Sequence, residues 1–323
     1  MNPSGRTSAD LSIVIVSWNT RQLLADCLAS LPAACLGLRH EVLVVDNDSH
    51  DGSDEMIEAD FPDVRLLRAG GNLGFTRGNN LALPQTSGRW ILLLNPDTVC
   101  PPGSLARLVE FASARECEAP VGAVGPRLVD EAGRPAISCG WFPALRFHWL
   151  EFLDPLRLLP GSWFRDRVVH RPGRHEASHP VEYVMGACLL MPRTAYEEVG
   201  ALDEQFFMYF EETDWCLRAH RAGRTNWYCG EVEVAHLEGR ASDQVSDFSL
   251  RQFQKSYRRF LAKHHGPGTV VAFRIAQAFE FGAKSLFRRL APGDRERNRR
   301  LARSFGRRFV LQFASEIEVE PPR

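Results

Sequence analysis

Trp90-Ile91-Leu92-Leu93-Leu94-Asn95-Pro96-Asp97 reads as a buried strand that stops abruptly at a polar turn. Pro96 stiffens that turn and helps to point Asp97 outward. The residues upstream follow the same grammar. Leu11 to Ser17 is a β-rich run, followed by a helical pattern across Leu23, Leu24, Cys27, Leu28 and Leu31. Glu41 to Val45 is a second strand ending at Asp46, Asn47 and Asp48, and a helical stretch follows Asp51-Gly52-Ser53. Val64 to Leu67 is a short third strand, Gly70 to Gly74 a turn, and Thr76 to Leu83 a helix. Strands alternating with helices predict an α/β fold, with a mostly parallel central sheet flanked by helices and right-handed crossovers. Ligands of such sheets bind beyond the carboxyl ends of the strands, where Asn19, Asp46, Asp48 and Asp97 would gather.

Downstream of Val121 the strict alternation fades. Residues 140–180 are rich in Trp, Phe, His, Pro and Arg without periodicity, as expected of a substrate-facing excursion. Val181 to Met191 reads as a strand with Gly186 and Ala187 inside it, a place where backbone can approach a ligand. A helix is expected from Glu211, short strands across Thr225 to His236, and helices throughout the remainder. The domains expected are a catalytic domain over 1–245 and a basic helical region over 246–323.

Composition narrows the class. Lys and Arg number 39 against 40 Asp and Glu, so overall charge does not point to nucleic acid. Eight cysteines without CxxC pairing, mostly in apolar stretches, suit a reduced, cytoplasmic protein. The first ten residues lack the apolar core of a signal peptide, and no apolar run reaches the ~20 residues of a membrane span.

Four stretches carry chemistry. In Asp46-Asn47-Asp48-Ser49, a carboxylate at a strand end can accept the imide N–H of uracil or thymine while its neighbours reach the ribose. The same residues suit a turn and helix cap, and Asp51 or Ser53 is best explained that way. Gly71-Asn72-Leu73-Gly74 precedes a helix, whose N–H groups can approach an anion or a sugar, although a strand-to-helix turn of this kind is commonplace. Asn95-Pro96-Asp97 resembles the DxD element of nucleotide-sugar enzymes with Asn at the first position. One carboxylate plus a diphosphate suffices for Mg²⁺ or Mn²⁺, and capping of the next helix is the simpler alternative.

Glu211-Glu212-Thr213-Asp214 opens a helix, where acids favour the macrodipole. Asp214 and Arg218 stand at i,i+4 and suit a structural surface pair. Phe206, Phe207, Tyr209 and Phe210 wall the cluster from water, which raises a carboxylate's pKa towards that of a base. Glu212 is favoured as the base, with Glu211 its rival. His236 follows a strand-like run and reads equally as a packed residue or a metal ligand.

Together these motifs resemble the GT-A glycosyltransferases of family 2, especially the rhamnosyltransferase and galactofuranosyltransferase branch. The matching segments are Val14-Ile15-Val16-Ser17-Trp18-Asn19, Val45-Asp46-Asn47-Asp48-Ser49, Asn72-Leu73-Gly74-Phe75 with Gly78-Asn79-Asn80, Asn95-Pro96-Asp97-Thr98, Gly186-Ala187-Cys188-Leu189-Leu190, and Phe207 to Arg218. The resemblance spans roughly residues 11–242. It implies an inverting transferase with a dTDP- or UDP-sugar donor, rhamnose from dTDP-rhamnose first among candidates, and a glycan or lipid-linked glycan acceptor. It implies that Asp46 contacts the base, that Asp97 and His236 hold the divalent metal, and that Glu212 is the general base. Candidate donor contacts are Ser17, Asn19, Asp46, Asp48, Asn72, Gly74, Asn79 and Asn95. Two features depart from the usual pattern. The acidic pair is Glu-Glu where Glu-Asp or Asp-Asp is commoner, and Asn95 leaves one charged metal ligand fewer.

Competing classes are a metal-dependent sugar nucleotidyltransferase and a non-catalytic glycan or sugar-nucleotide binder. The first would offer a Gly-rich loop with Lys or Arg near the first strand, where Ser17-Trp18-Asn19-Thr20 stands. Joint retention of Asp97, Glu212 and His236 speaks against the second. Finally, residues 284–308 are strongly basic, and Leu301, Phe305, Phe309 and Phe313 form a stripe at every fourth residue. Such a helix can lie on the inner face of an anionic membrane, pack on the catalytic domain, or mediate self-association.

Overall fold

A computed structural model describes residues 9–144, 177–237, 246–290, 294–314 and 317. The expected substrate-facing excursion lies mostly outside them. The chain divides into two compact units, the second taking over from Leu250. The boundary expected after residue 245 lies just ahead of that division, which falls inside a helix.

The first unit begins with the expected alternation: β1 (Leu11–Ser17), α1 (Arg21–Ala34), β2 (His40–Asp46), α2 (Ser53–Asp60), β3 (Arg65–Arg68), α3 (Gly74–Ala82) and β4 (Trp90–Leu94). Then come β5 (Thr98–Val99), α4 (Ser104–Glu118), β6 (Val121–Val129), β7 (Cys139–Gly140), β8 (His179–Val181), β9 (Tyr183–Val184), β10 (Cys188–Pro192), α5 (Arg193–Val199), α6 (Glu211–Arg221) and β11 (Thr225–His236). Nine of the described strands form one sheet, in the order β3-β2-β1-β4-β10-β6-β11-β5 with β8 on β11. β3, β2, β1 and β4 run parallel, and β10 is inserted antiparallel beside β4.

Both faces of this sheet are covered, which explains the unalternating apolar strands. On β1, Leu11, Ile13 and Ile15 pack on the side of α1 and α4, while Val14 and Val16 face the opposite layer with Trp215 and Cys216 of α6. The period-2 placement of side chains splits one run between two cores.

Two expectations are corrected. Val181 to Met191 is not one strand, because a turn at Gly186-Ala187 separates β9 from β10. Thr225 to His236 is not several short strands but one, with register shifts at Thr225/Trp227 and Cys229/Glu233. Asn226 fills the first irregularity: its Oδ1 accepts the Ala123 N–H (3.0 Å) and its Nδ2 donates to the Glu182 carbonyl (2.7 Å). A continuous β11 carries His236 from the far end of the sheet to β5.

From Leu250 onward the described residues of the second unit are largely helical, comprising most of α7 (Ser246–His265), with α8 (Pro267–Leu290) and α9 (Arg295–Leu311). Asp294 caps α9 through the Glu296 and Arg297 N–H groups. The stripe read on the basic tail is largely used inside this unit: Phe305 stacks on Phe281, and Phe309 lies against Gly282. Phe313 falls beyond the end of α9 and is exposed. Among the described residues no helix is long and apolar enough to cross a membrane.

Candidate active site

The parallel strands deliver their acids to one edge. At the end of β2, Asp46 is buried; its Oδ2 accepts the Ser49 N–H (3.2 Å), while Oδ1 has no hydrogen-bond partner. An orphaned buried carboxylate oxygen costs about 1–3 kcal/mol, and no described residue supplies a donor to this one. Asn19 links the neighbouring loop: its N–H donates to Ser49 Oγ (3.0 Å) and its Oδ1 accepts the His50 N–H (2.7 Å). Asp51, expected as a cap, accepts from the N–H groups of both Arg21 and Ser53.

At the end of β4, the Asn95 N–H donates to the Ala187 carbonyl (2.9 Å), and Thr98 closes the turn by donating from its hydroxyl to the Asn95 carbonyl (2.8 Å). The β5–β11 register sets His236 opposite Thr98. His236 Nε2 is therefore 3.3 Å from Asp97 Oδ1, a buried oxygen that accepts no hydrogen bond, and 3.5 Å from Asn95 Nδ2. Two neighbouring ligands of an octahedral ion with bonds of about 2.1 Å stand about 3 Å apart, so this oxygen and nitrogen suit a shared divalent metal. Among the described residues no third His, Cys, Asp or Glu joins them, so further ligands would have to come from substrate or water.

The third component is the start of α6. Tyr209 (φ +67°) and Phe210 (φ +70°) are both left-handed, at about 1–2 kcal/mol each for L-residues. Asn19 (φ +51°) and Asp48 (φ +69°) are the other described non-glycine residues with positive φ, so this backbone strain is confined to loops around the site. The Phe210 carbonyl accepts the Asp214 N–H (2.8 Å), starting the helix with Glu211 and Glu212 turned inward and buried. Burial, and then the charge of Glu212, pushes the Glu211 carboxyl well above the ordinary range. Burial also raises Glu212, but backbone N–H groups and the Thr213 hydroxyl, which donates to its Oε1 (3.1 Å), oppose the rise. Burial thus raises both adjacent carboxyls, and only Glu212 has a side-chain hydroxyl that opposes the rise. A Cβ at Gly186 would sit 3.5 Å from Glu212 Cγ, so the Gly186-Ala187 turn touches the acidic pair on one side and holds Asn95 on the other.

Several predicted donor contacts lie in the frame beneath these groups. The Ser17 hydroxyl is buried against that of Thr20 (2.8 Å), and Asn79 Nδ2 donates to the Phe75 carbonyl (2.9 Å). Asn72 Oδ1 accepts the Gly74 N–H (3.1 Å), and Asp48 is exposed beside Asn47. The N–H groups expected to meet an anion at the start of α3 are engaged: those of Phe75 and Thr76 donate to the Phe207 carbonyl at 2.9 and 3.4 Å. Asp214 is not a surface partner of Arg218 but fully buried. Arg218 Nε donates to it (2.9 Å) while the other guanidinium nitrogens donate to the Val199 and Ala201 carbonyls.

Sequence reading missed the structural role of Asn47, whose side chain donates to the Gly74 carbonyl (3.2 Å) and accepts the Leu73 N–H (3.1 Å), tying two site loops together. It also missed the Phe207 carbonyl, which no side-chain pattern could reveal. Asn47 carried a signal, a third polar residue directly after a strand-end Asp.

The family model described as Glycosyl transferase family 2 matches residues 12–200. The chain belongs to that family. Among the relatives of this family 2 glycosyltransferase is the N-acetylglucosaminyl-diphospho-decaprenol L-rhamnosyltransferase of Mycobacterium tuberculosis, 32% identical over 270 residues that cover 79% of this chain and 85% of that protein. Low-salt glycan biosynthesis hexosyltransferase Agl10 of Haloferax volcanii is 26% identical, covering 79% and 76% of the two chains. A solved mannosyltransferase from Pyrobaculum calidifontis, in complex with GDP-Man and Mn²⁺, shares the GT-A fold with a TM-score of 0.55. It is 14% identical and covers 96% of this chain and 86% of that one.

Proposed function

We propose that this glycosyltransferase moves rhamnose from dTDP-rhamnose to a lipid-linked glycan acceptor, with inversion at the anomeric carbon. The acceptor class rests on the mycobacterial relative, whose name states a diphospho-decaprenol-linked N-acetylglucosaminyl acceptor. The observation that carries the reaction class is the Gly186-Ala187 turn, which brings the Asn95-Pro96-Asp97 turn and Glu212 against one short loop. Displacement at one carbon needs a base on one side and charge stabilisation for the leaving group on the other, about one sugar apart.

In this reading Asp46 Oδ1 accepts the imide N–H of the base, and Asp97 with His236 would hold the divalent metal, which would supply positive charge for the departing diphosphate. Glu211 keeps its proton in this reading, supported by its burial and the neighbouring charge of Glu212, which raise its carboxyl. Glu212 takes the proton of the acceptor hydroxyl; that oxygen bonds to the anomeric carbon as the bond to the diphosphate breaks, and the electron pair leaves with dTDP.

The test is nucleotide release from dTDP-rhamnose, UDP-sugars and GDP-sugars by the purified protein with a diphospholipid-linked N-acetylglucosamine. Release of dTDP that is abolished by EDTA and restored by Mn²⁺ or Mg²⁺ is expected. Turnover of only a UDP- or GDP-sugar would overturn the donor, and EDTA-insensitive turnover would overturn the metal.

A further inference from the structure

Helix α8 carries more apolar surface than its packing uses. Its inner side is occupied: Phe273 stacks on Tyr257 with centroids 4.6 Å apart, Phe281 on Phe305, and buried Glu280 is paired with Lys284. The other side presents Val271, Ile275, Phe279, Leu286 and Leu290, spaced so that they line one stripe along about 30 Å of helix. Each is more than half exposed, from Val271 at 55% to Leu290 at 76%. A stripe of this length is far more than the scattered apolar residues of an ordinary surface.

Packing within the hairpin shows which edge of α9 shares this face. Gly282, on the stripe, meets the Phe309 ring, whereas Phe281 and Lys284, on the other side, meet Phe305, and Arg308 lies over Phe281. The Phe309 edge of α9 therefore turns towards the stripe. That edge continues into exposed Val310 and Phe313, and Arg299 and Arg303 stand on it two to three turns earlier, both exposed.

Charge selects the occupant. Between Pro267 and Leu311 the sequence holds eleven Lys and Arg against three acids, a net of +8 in a chain whose total is −1. A second copy of the same face would bring the same positive charge against it, which disfavours self-association. An anionic bilayer meets both halves of the pattern: apolar side chains enter the boundary of the acyl region while guanidinium groups contact lipid phosphates. We infer that the α8–α9 hairpin docks the protein on an anionic lipid surface through the stripe from Val271 to Leu290. This goes beyond the transferase reading and does not depend on it.

The test is co-sedimentation of the full chain, without donor, with phosphatidylcholine vesicles that contain about 30% phosphatidylglycerol or none. Binding to the anionic vesicles is expected, at least ~10-fold weaker to neutral ones, and at least ~10-fold weaker for the Ile275→Asp/Leu286→Asp variant. Arg299→Glu/Arg303→Glu should weaken anionic binding and flatten its salt dependence. All four side chains are exposed, so circular dichroism should report unchanged folding. Absence of vesicle binding by the parent, or undiminished binding by Ile275→Asp/Leu286→Asp, overturns the inference. A concentration-dependent dimer lost in that variant, without vesicle binding, assigns the face to self-association instead. Since no turnover is measured, either failure leaves the transferase reading untouched.

Discussion

Gly74→Ala separates two roles for the Asn72-Leu73-Gly74-Phe75 loop. Gly74 has φ +78°, where an L-residue costs about 1–2 kcal/mol. A Cβ there would lie 2.5 Å from the Phe207 carbonyl oxygen and 2.6 Å from the edge of its ring. That carbonyl accepts from Phe75 and Thr76, so it can retreat only by weakening two hydrogen bonds, each contributing about 0.5–1.5 kcal/mol net. The combined loss is about 2–4 kcal/mol, which a domain of about 5–15 kcal/mol survives. Phe207 leads through the left-handed Tyr209-Phe210 link into Glu211, so the folded variant also misplaces the acidic pair. A displacement of about 1 Å lowers turnover by up to ~10²-fold. Guanidinium melts and steady-state dTDP release measure the two effects. A lower midpoint with reduced kcat is expected; an unchanged midpoint with a raised donor KM would refute the clamp and restore Gly74 as a direct donor contact.

The acidic pair and its buried neighbour yield further tests. Glu212→Gln should lower kcat by about 10²–10⁴-fold and Glu211→Gln far less; equal losses, or turnover that survives in Glu212→Gln, would reverse or sink the base assignment. Glu211 also predicts a pH dependence of stability. Its carboxyl is raised in the fold, so the stability it contributes is complete below the unfolded value of about 4.5 and falls as pH rises through the folded value. Glu211→Gln should therefore gain on the parent in denaturation midpoint as pH rises above about 4.5, and parallel curves would contradict the buried-carboxyl assignment. Asp214→Ala removes the partner of Arg218 from a fully buried position, and should cost about 2–3 kcal/mol, less than a wholly buried pair because the guanidinium is partly exposed. A midpoint shift of a few tenths of a kcal/mol would instead mark an ordinary i,i+4 surface pair.

The alternation from Leu11 to Leu94 was legible because each element there has its own local period, apolar runs for covered strands and Leu24, Cys27, Leu28 and Leu31 for one face of α1. The ends of β2 and β4 were legible for the same reason, and with them Asp46 and Asp97. The insertion of β10 antiparallel beside β4 was not, since pairing partners far apart in sequence leave no local signature. The tail shows a different limit. Its amphipathic stripe from Leu301 to Phe309 was visible, yet α8 also has an apolar side to spare, and only packing shows that the stripe of α9 is largely covered while that of α8 is open.

The fold class, the family and the acids at the strand ends could be read from the residues alone, because these depend on short-range periodicity and on motifs contiguous in the chain. It took packing in three dimensions to set His236 3.3 Å from Asp97, to bury Glu211 and Glu212 so that both carboxyls are raised, and to make Asp214 half of a buried structural pair. Those outcomes depend on the β5–β11 register, on desolvation and on partners far away along the chain. A carboxylate's chemistry is set by what surrounds it in space, and residue spacing does not encode that.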